Sequence, residues 1–172
     1  MSNSLESGMT SPQSAGATPT TGDDVWTTRR LLGWMTDYLT QKSVDSPRVV
    51  AEKLLAHTFQ CERMRLYMEV DRPASKDELT ALRGLLQRAA KHEPLQYLFG
   101  EETFFTRSFE VGRETLIPRP CTETLVEAVL HDCKQRGRDR EWRLADIGTG
   151  TGCIAISLAL GLPNATVVAT DL

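Results

Sequence analysis

Asp146-Ile147-Gly148-Thr149-Gly150-Thr151-Gly152 is the stretch that decides the fold. Before it, Trp142 to Ile147 reads as a strand. After it, Cys153 to Leu160 is an apolar run of helical length, which Gly161, Pro163 and Asn164 bring to an end. Thr166-Val167-Val168-Ala169-Thr170 follows, β-branched and therefore suited to a pleated strand. Strand, glycine loop, helix and strand in that order make a βαβ unit.

The loop carries the chemistry. Glycine lets the backbone turn tightly and lets a ligand lie against the main chain without a Cβ in the way. The helix that follows presents unpaired N–H groups. Asp171 stands at the tip of the second strand, where a carboxylate can accept hydrogen bonds from two ribose hydroxyls. Asp146, Gly148, Thr149, Gly150, Thr151, Gly152 and Asp171 are therefore the candidate residues of a nucleoside-cofactor site.

The spacing narrows the cofactor. Dinucleotide loops read G-x-G-x-x-G/A, whereas here glycines occupy 148, 150 and 152 and Cys stands at 153. Asp146 would repel a diphosphate but could hold an ammonium, directly or through water. S-adenosylmethionine has a sulfonium, an ammonium, a ribose and an adenine but no phosphate, so it fits best. A nicotinamide cofactor and a merely structural glycine turn remain as alternatives.

Upstream, helical signals dominate. Asp23 or Asp24 is placed to cap a helix over about 25–42 with Leu31, Met35, Tyr38 and Leu39 on one face. Ser46-Pro47 opens a second helix with Val50, Leu54 and Leu55 on one side. A short third helix is expected near 61–68. Ser75-Lys76-Asp77-Glu78 is a capping box, opening a helix to about Lys91 with Leu79, Leu82, Leu86 and Ala89 inside and Arg83, Arg88 and Lys91 outside. Pro94 closes the bundle. Thr103, Phe105, Phe109 and Val111 then alternate as a short hairpin, and Leu116-Ile117-Pro118-Arg119-Pro120 is stiff and extended. Thr122 is a candidate cap for a helix carrying Leu125, Val126, Val129 and Leu130. The run Lys134 to Arg140 reads as a solvated basic linker.

The expected organisation is α/β: a tail at 1–24, a helical domain at 25–91, a hairpin and connector at 92–120, and a βαβ-containing part at 121–172. The tail is rich in Ser, Thr, Gly and Pro and is expected to be disordered.

Composition sets the outer bounds. With 172 residues, 40% hydrophobic and 25% charged, the chain is an ordinary globular protein, not a collagen or a disulfide-stapled miniprotein. The formal net charge of −3 resides in the tail, whose Glu6, Asp23 and Asp24 face no base. The remainder is neutral, which speaks against bulk affinity for nucleic acid or membrane. Cys61, Cys121, Cys133 and Cys153 lack metal or redox spacing, as do His57, His92 and His131, so free thiols and no metal site are expected. No apolar run reaches the roughly 18 residues of a membrane span, and no leader pattern opens the chain. A cytoplasmic monomer is expected.

Four blocks carry a family resemblance: Glu93-Pro94-Leu95-Gln96-Tyr97-Leu98-Phe99-Gly100, then Phe104-Phe105 with Phe109-Glu110-Val111, then Thr115-Leu116-Ile117-Pro118-Arg119-Pro120-Cys121-Thr122-Glu123, then the Asp146–Gly152 loop with Asp171. In this order they resemble PrmC/HemK, the glutamine N5-methyltransferases of peptide chain release factors. The resemblance covers about 25–172 and is strongest over 93–172. It implies the start of a class I, Rossmann-like S-adenosylmethionine-dependent methyltransferase domain behind a helical domain that docks the release factor. It also implies methylation of the side-chain amide in the release factor's Gly-Gly-Gln motif. A nucleic-acid amino-methyltransferase and a non-catalytic release-factor-binding module are the alternatives.

Two departures stand out. The family usually has an acid where this chain has Cys121, with Glu123 a candidate substitute. The family's catalytic Asn-Pro-Pro-Tyr motif is not in this sequence, so no catalytic residue is assigned, and the chain is expected to stop after the second of seven strands and to be inactive alone.

Overall fold

The computed structural model describes residues 25–137 and 140–172. Its first layer is helical: α1 (Thr28–Gln41), α2 (Pro47–Thr58), α3 (Arg63–Met68), α4 (Lys76–Ala89) and α5 (Leu95–Phe99). The cap of α1 is Thr27, whose hydroxyl oxygen accepts from the Arg30 amide at 3.4 Å. This corrects the expected cap at Asp23 or Asp24, which lie outside the described residues. Ser46 precedes Pro47 as expected, but it sits at φ 50° and makes no side-chain cap bond, so the proline sets this helix start. The capping box of α4 is complete: Glu78 N donates to Ser75 Oγ at 3.2 Å and Ser75 N to Glu78 Oε2 at 2.8 Å.

Helical periodicity supplies the core of this layer. Met35, Leu39, Leu54 and Leu55 are fully buried, with Leu31, Leu66, Leu82 and Leu86 nearly so. Leu98 of α5 packs into the same cluster, so the helical layer continues past residue 91 to the Pro94–Gly100 block.

One carboxylate is buried with it. The Glu52 side chain is 3% exposed and accepts from Arg48 Nε at 2.8 Å, from the Arg63 guanidinium and from the Tyr67 hydroxyl. Burial pushes its pKa up, but these three donors outweigh that and hold it at about 2. The node ties α2 to α3.

The hairpin pairs β1 (Glu101–Phe104) with β2 (Arg107–Glu110), Phe104 opposite Arg107. Phe105 and Thr106 form its turn, both at positive φ (49° and 65°) as a two-residue hairpin turn with right-handed twist requires. The first strand's phase differs from the sequence expectation: Phe104 is buried, not Thr103 or Phe105, because the turn falls at 105–106 and puts Phe104 and Phe109 on one face. Their rings meet edge to face at 6.2 Å.

Then come α6 (Pro120–Gly137), β3 (Arg143–Ile147), α7 (Cys153–Gly161) and β4 (Thr166–Thr170). Helix α6 begins at Pro120, so Thr122 lies inside its first turn and is not its cap. Strands β3 and β4 are parallel, from Arg143 opposite Thr166 to Ile147 opposite Thr170. The expected βαβ unit is therefore present. A second core joins the hairpin to it through Phe104, Phe109, Val126, Leu130, Cys153 and Leu158. Leu144 and Val167 turn towards that core, while Ile147 and Val168, on alternate positions, remain 77% and 52% exposed. No described helix is long and apolar enough to cross a membrane. The four cysteines are free.

Candidate cofactor-binding site

The candidate residues converge at the carboxyl ends of β3 and β4. Gly148, Gly150 and Gly152 all have positive φ (76°, 54° and 75°), which explains glycine at alternate positions in the loop. Gly148 N and Thr149 N both donate to Thr170 O, at 2.8 and 3.0 Å, which fastens the loop to the end of β4.

Both acids bond to this loop, Asp146 through Thr149 and Asp171 through Gly150. Asp146 Oδ2 accepts from the Thr149 hydroxyl at 2.7 Å and from Ala155 N at 3.2 Å. It thereby caps the first turn of α7 with a protein carboxylate, while Oδ1 stays outside these bonds. Asp171 Oδ2 accepts from Gly150 N, and Oδ1 accepts from Leu172 N at 2.8 Å. These amide donors, Leu172 first and Gly150 second, hold the Asp171 carboxyl below its ordinary pKa, so it stays anionic. The side chain is exposed, and each carboxylate oxygen has a second lone pair for a further donor.

A nucleoside cofactor without phosphate suits these groups. An added Cβ at Gly148 or Gly150 would meet nothing within 4 Å, so the space before the loop is open. A diphosphate would normally take the helix N-terminal amides, and Asp146 sets a carboxylate beside them, accepting from Ala155 N. Among the described residues, no group of three or more His, Cys, Asp or Glu side chains is placed to hold a metal ion.

The connector approaches from the helical layer, and sequence reasoning missed how. Glu93 accepts from Arg88 at 2.8 Å through both Nε and Nη2 and from Arg113 Nη2 at 2.8 Å. Arg88 first and Arg113 second hold the Glu93 carboxyl at about 2. Tyr97 Oη donates to Thr115 O at 2.9 Å. The two resemblance blocks are thus bonded to each other. The only sequence signal was the E-P-x-x-Y spacing, which puts Glu93 and Tyr97 one turn apart around Pro94. Pro118 is buried in the connector that follows. Cys121 is exposed, and Glu123 Oε1 accepts from Phe105 N at 2.8 Å, so that acid serves the hairpin turn.

A helical layer, a bonded connector and a glycine-loop βαβ unit define an α/β protein. Residues 30–100 match the PrmC N-terminal domain family. The chain is 41% identical over 148 residues to the release factor glutamine methyltransferase of Geobacter sulfurreducens, covering 86% of this chain and 50% of that one. It is 40% identical over 154 residues to the protein of the same name from Rhodopirellula baltica, covering 89% and 52%. A bifunctional methyltransferase of Rickettsia conorii is 33% identical over 165 residues, covering 84% and 32%. The chain thus carries a PrmC N-terminal domain and is similar to release factor glutamine methyltransferases, of which it spans about half the length.

Proposed function

We propose that this chain is the docking and cofactor-cradling part of a release factor glutamine methyltransferase. The observation that carries the reading is the Asp171 carboxylate at the tip of β4, bonded to the amide of Gly150 in an open glycine loop. S-adenosylmethionine supplies the activated methyl group when bound. On the chain's side, Asp171 would accept from the ribose hydroxyls and Oδ1 of Asp146 would face the ammonium, directly or through water. The loop from Gly148 to Gly152 would give the cofactor close access to backbone.

The acceptor is the side-chain amide nitrogen of the glutamine in the Gly-Gly-Gln motif. An amide nitrogen is a poor nucleophile because its lone pair is delocalised, so the reaction depends on orientation and electrostatics. By resemblance, an Asn-Pro-Pro-Tyr motif provides that orientation, and these 172 residues do not contain it. The chain by itself is therefore expected to transfer no methyl group.

A chimera tests the reading. Residues 25–172 joined to the remaining half of the Geobacter sulfurreducens relative should move labelled methyl from S-adenosylmethionine to a purified release factor, while the 172-residue chain should not. In the chimera, Asp171→Ala should weaken S-adenosylhomocysteine binding by about 10- to 100-fold, the range for a lost hydrogen bond to a charged group. A folded chimera that binds S-adenosylhomocysteine but leaves the release factor unmethylated would overturn the proposed substrate.

A further inference from the structure

The two apolar clusters of the chain have no residue in common. One, in the helical layer, includes Leu31, Leu55 and Leu98; the other, around the hairpin and the βαβ unit, includes Phe104, Val126 and Cys153. The bonds that cross from one part to the other are directional. Gly100, at φ 77°, turns α5 straight into β1, and Val111 N donates to its carbonyl oxygen at 2.9 Å. Arg113 donates to Glu93 and Tyr97 to Thr115 O.

Glu93 is held in place by its own layer. Helix α4 ends with His92 in the left-handed region, φ 60°, and the chain folds back so that Lys91 N and Glu93 N both donate to Arg88 O, at 3.0 and 3.3 Å. The Arg88 guanidinium takes the Glu93 carboxylate at 2.8 Å through Nε and Nη2, and Nη2 also donates to Tyr97 O at 3.3 Å. Arg88 therefore fixes Glu93 by backbone and side chain, and Pro94 restricts the chain after it. The Glu93 side chain is only 13% exposed, whereas Arg113 is 76% exposed. Arg113 belongs to the turn Gly112–Thr115, which is closed on itself: Thr115 N donates to Gly112 O and Gly112 N to Thr115 Oγ1, both at 3.1 Å. Glu93 thus grips this turn through Arg113, and Tyr97 grips it through Thr115. An exposed ion pair adds little stability, but two bonds to one closed turn set its orientation.

We propose that Glu93 and Tyr97 are positioning residues: together they set the orientation of the helical layer relative to the βαβ unit, and with it the alignment that methyl transfer needs. The connection runs through consecutive stiff parts. Beyond Thr115 the chain is restricted by Pro118 and Pro120, and Pro120 begins α6. Helix α6 packs Val126 and Leu130 into the cluster that holds Cys153, the first residue of α7 and the neighbour of Gly152 in the glycine loop. A shift of the Gly112–Thr115 turn therefore moves the glycine loop relative to the helical layer. The bonds of Glu93 and Tyr97 go to Arg88, Arg113 and Thr115, and none goes to Asp146, Asp171 or the loop. Loss of the clasp should change alignment and leave cofactor affinity in place. The clasp stands on its own geometry; only its effect on methyl transfer rests on the proposed function.

Residual dipolar couplings on the 172-residue chain read the orientation directly. One alignment tensor should fit the amides of α1, α2 and α4 together with those of α6 and α7. In Glu93→Gln with Tyr97→Phe each set should need its own tensor, with circular dichroism showing both parts folded. Arg113→Ala, at an exposed position whose loss does not threaten folding, should show a smaller divergence. Arg136→Gln, which breaks an exposed pair with Asp132 inside α6, should keep the single tensor. Separate tensors in the wild type, or a single tensor in the Glu93 or Arg113 variants, would overturn the proposal. In the chimera, the double variant should lower kcat roughly tenfold to a hundredfold, the scale of a misplacement of about 1 Å, with S-adenosylhomocysteine affinity and the release-factor KM within about twofold of wild type. Arg113→Lys, which keeps a donor for Glu93, should recover most of the activity lost in Arg113→Ala. Unchanged kcat in the double variant, or cofactor affinity falling in step with kcat, would also overturn the proposal. If the unmodified chimera transfers no methyl, the release-factor reading falls and the couplings alone decide whether the clasp sets the orientation.

Discussion

The Tyr97 hydroxyl donates to the Thr115 carbonyl oxygen across 2.9 Å, joining α5 to the loop that leads into the Leu116–Pro120 connector. Gly112 N donates to Thr115 Oγ1 at 3.1 Å within the same loop, and Arg113 reaches back to Glu93. The connector is therefore held by the helical layer at its first end and enters α6 at its other. Tyr97→Phe should cost about 1 kcal/mol. Amide hydrogen exchange should rise over residues 112–119 and stay unchanged in α1 and α2. Uniform acceleration across the chain would show that the bond holds the whole fold and not the connector.

Glu52 gives the stability a pH signature. Its pKa is about 2 in the folded chain against an ordinary 4.5. A depressed carboxylate contributes fully above its unfolded value and loses that contribution as pH falls through the folded one. The contribution from this group should thus be constant from neutral pH to about 4.5 and vanish between 4.5 and about 2. Glu52→Gln should lower stability at neutral pH by about 1–3 kcal/mol and flatten the acid limb in urea titrations at successive pH values. An unchanged acid limb in the variant would assign the dependence to other carboxylates.

Asp146 spends Oδ2 on the start of α7. Asp146→Ala removes both bonds made by that oxygen, and the loss should be about 1 kcal/mol, the usual worth of a helix cap. Exchange at residues 149–156 should quicken while α4, which keeps its own capping box, does not change. Equal protection in wild type and variant would mean the carboxylate does not organise the loop.

Two glycines should respond in opposite directions to alanine, although a Cβ meets nothing within 4 Å at either. Gly148 sits at φ +76°, so Gly148→Ala should destabilise by about 1 kcal/mol or more through backbone strain alone. Gly33 lies within α1, where Gly33→Ala should stabilise by about 0.4–1 kcal/mol by restricting the unfolded chain. Thermal midpoints moving the same way for both would contradict this assignment.

Much of the fold was legible in local pattern. The Ser75 box, the Pro47 helix start and the β-branched run at 166–170 each report a short-range steric or hydrogen-bonding preference, and each appears where the residues put it. Phase was harder. Phe104 and Phe105 are chemically alike, and only the turn at 105–106, held by the distant Glu123, decides which of them is buried. The cap of α1 was also misplaced: Asp23, Asp24 and Thr27 are all competent caps, and the choice depends on where Thr28 meets Arg72 across the layer.

The sequence by itself determined the βαβ unit, the glycine loop and the two acids around it, because turn geometry and strand propensity act over a few residues. Only the tertiary structure decided what those acids and the other charges touch. It gave Asp146 to the helix cap and Asp171 to the loop amide, seated Glu52 between two arginines and a tyrosine, and tied Glu93 to Arg113 across the connector. The physical reason is range: a carboxylate's partner is set by which donors packing brings within about 3 Å, and donors up to twenty-one positions away along the chain are placed by the fold, not by the local sequence.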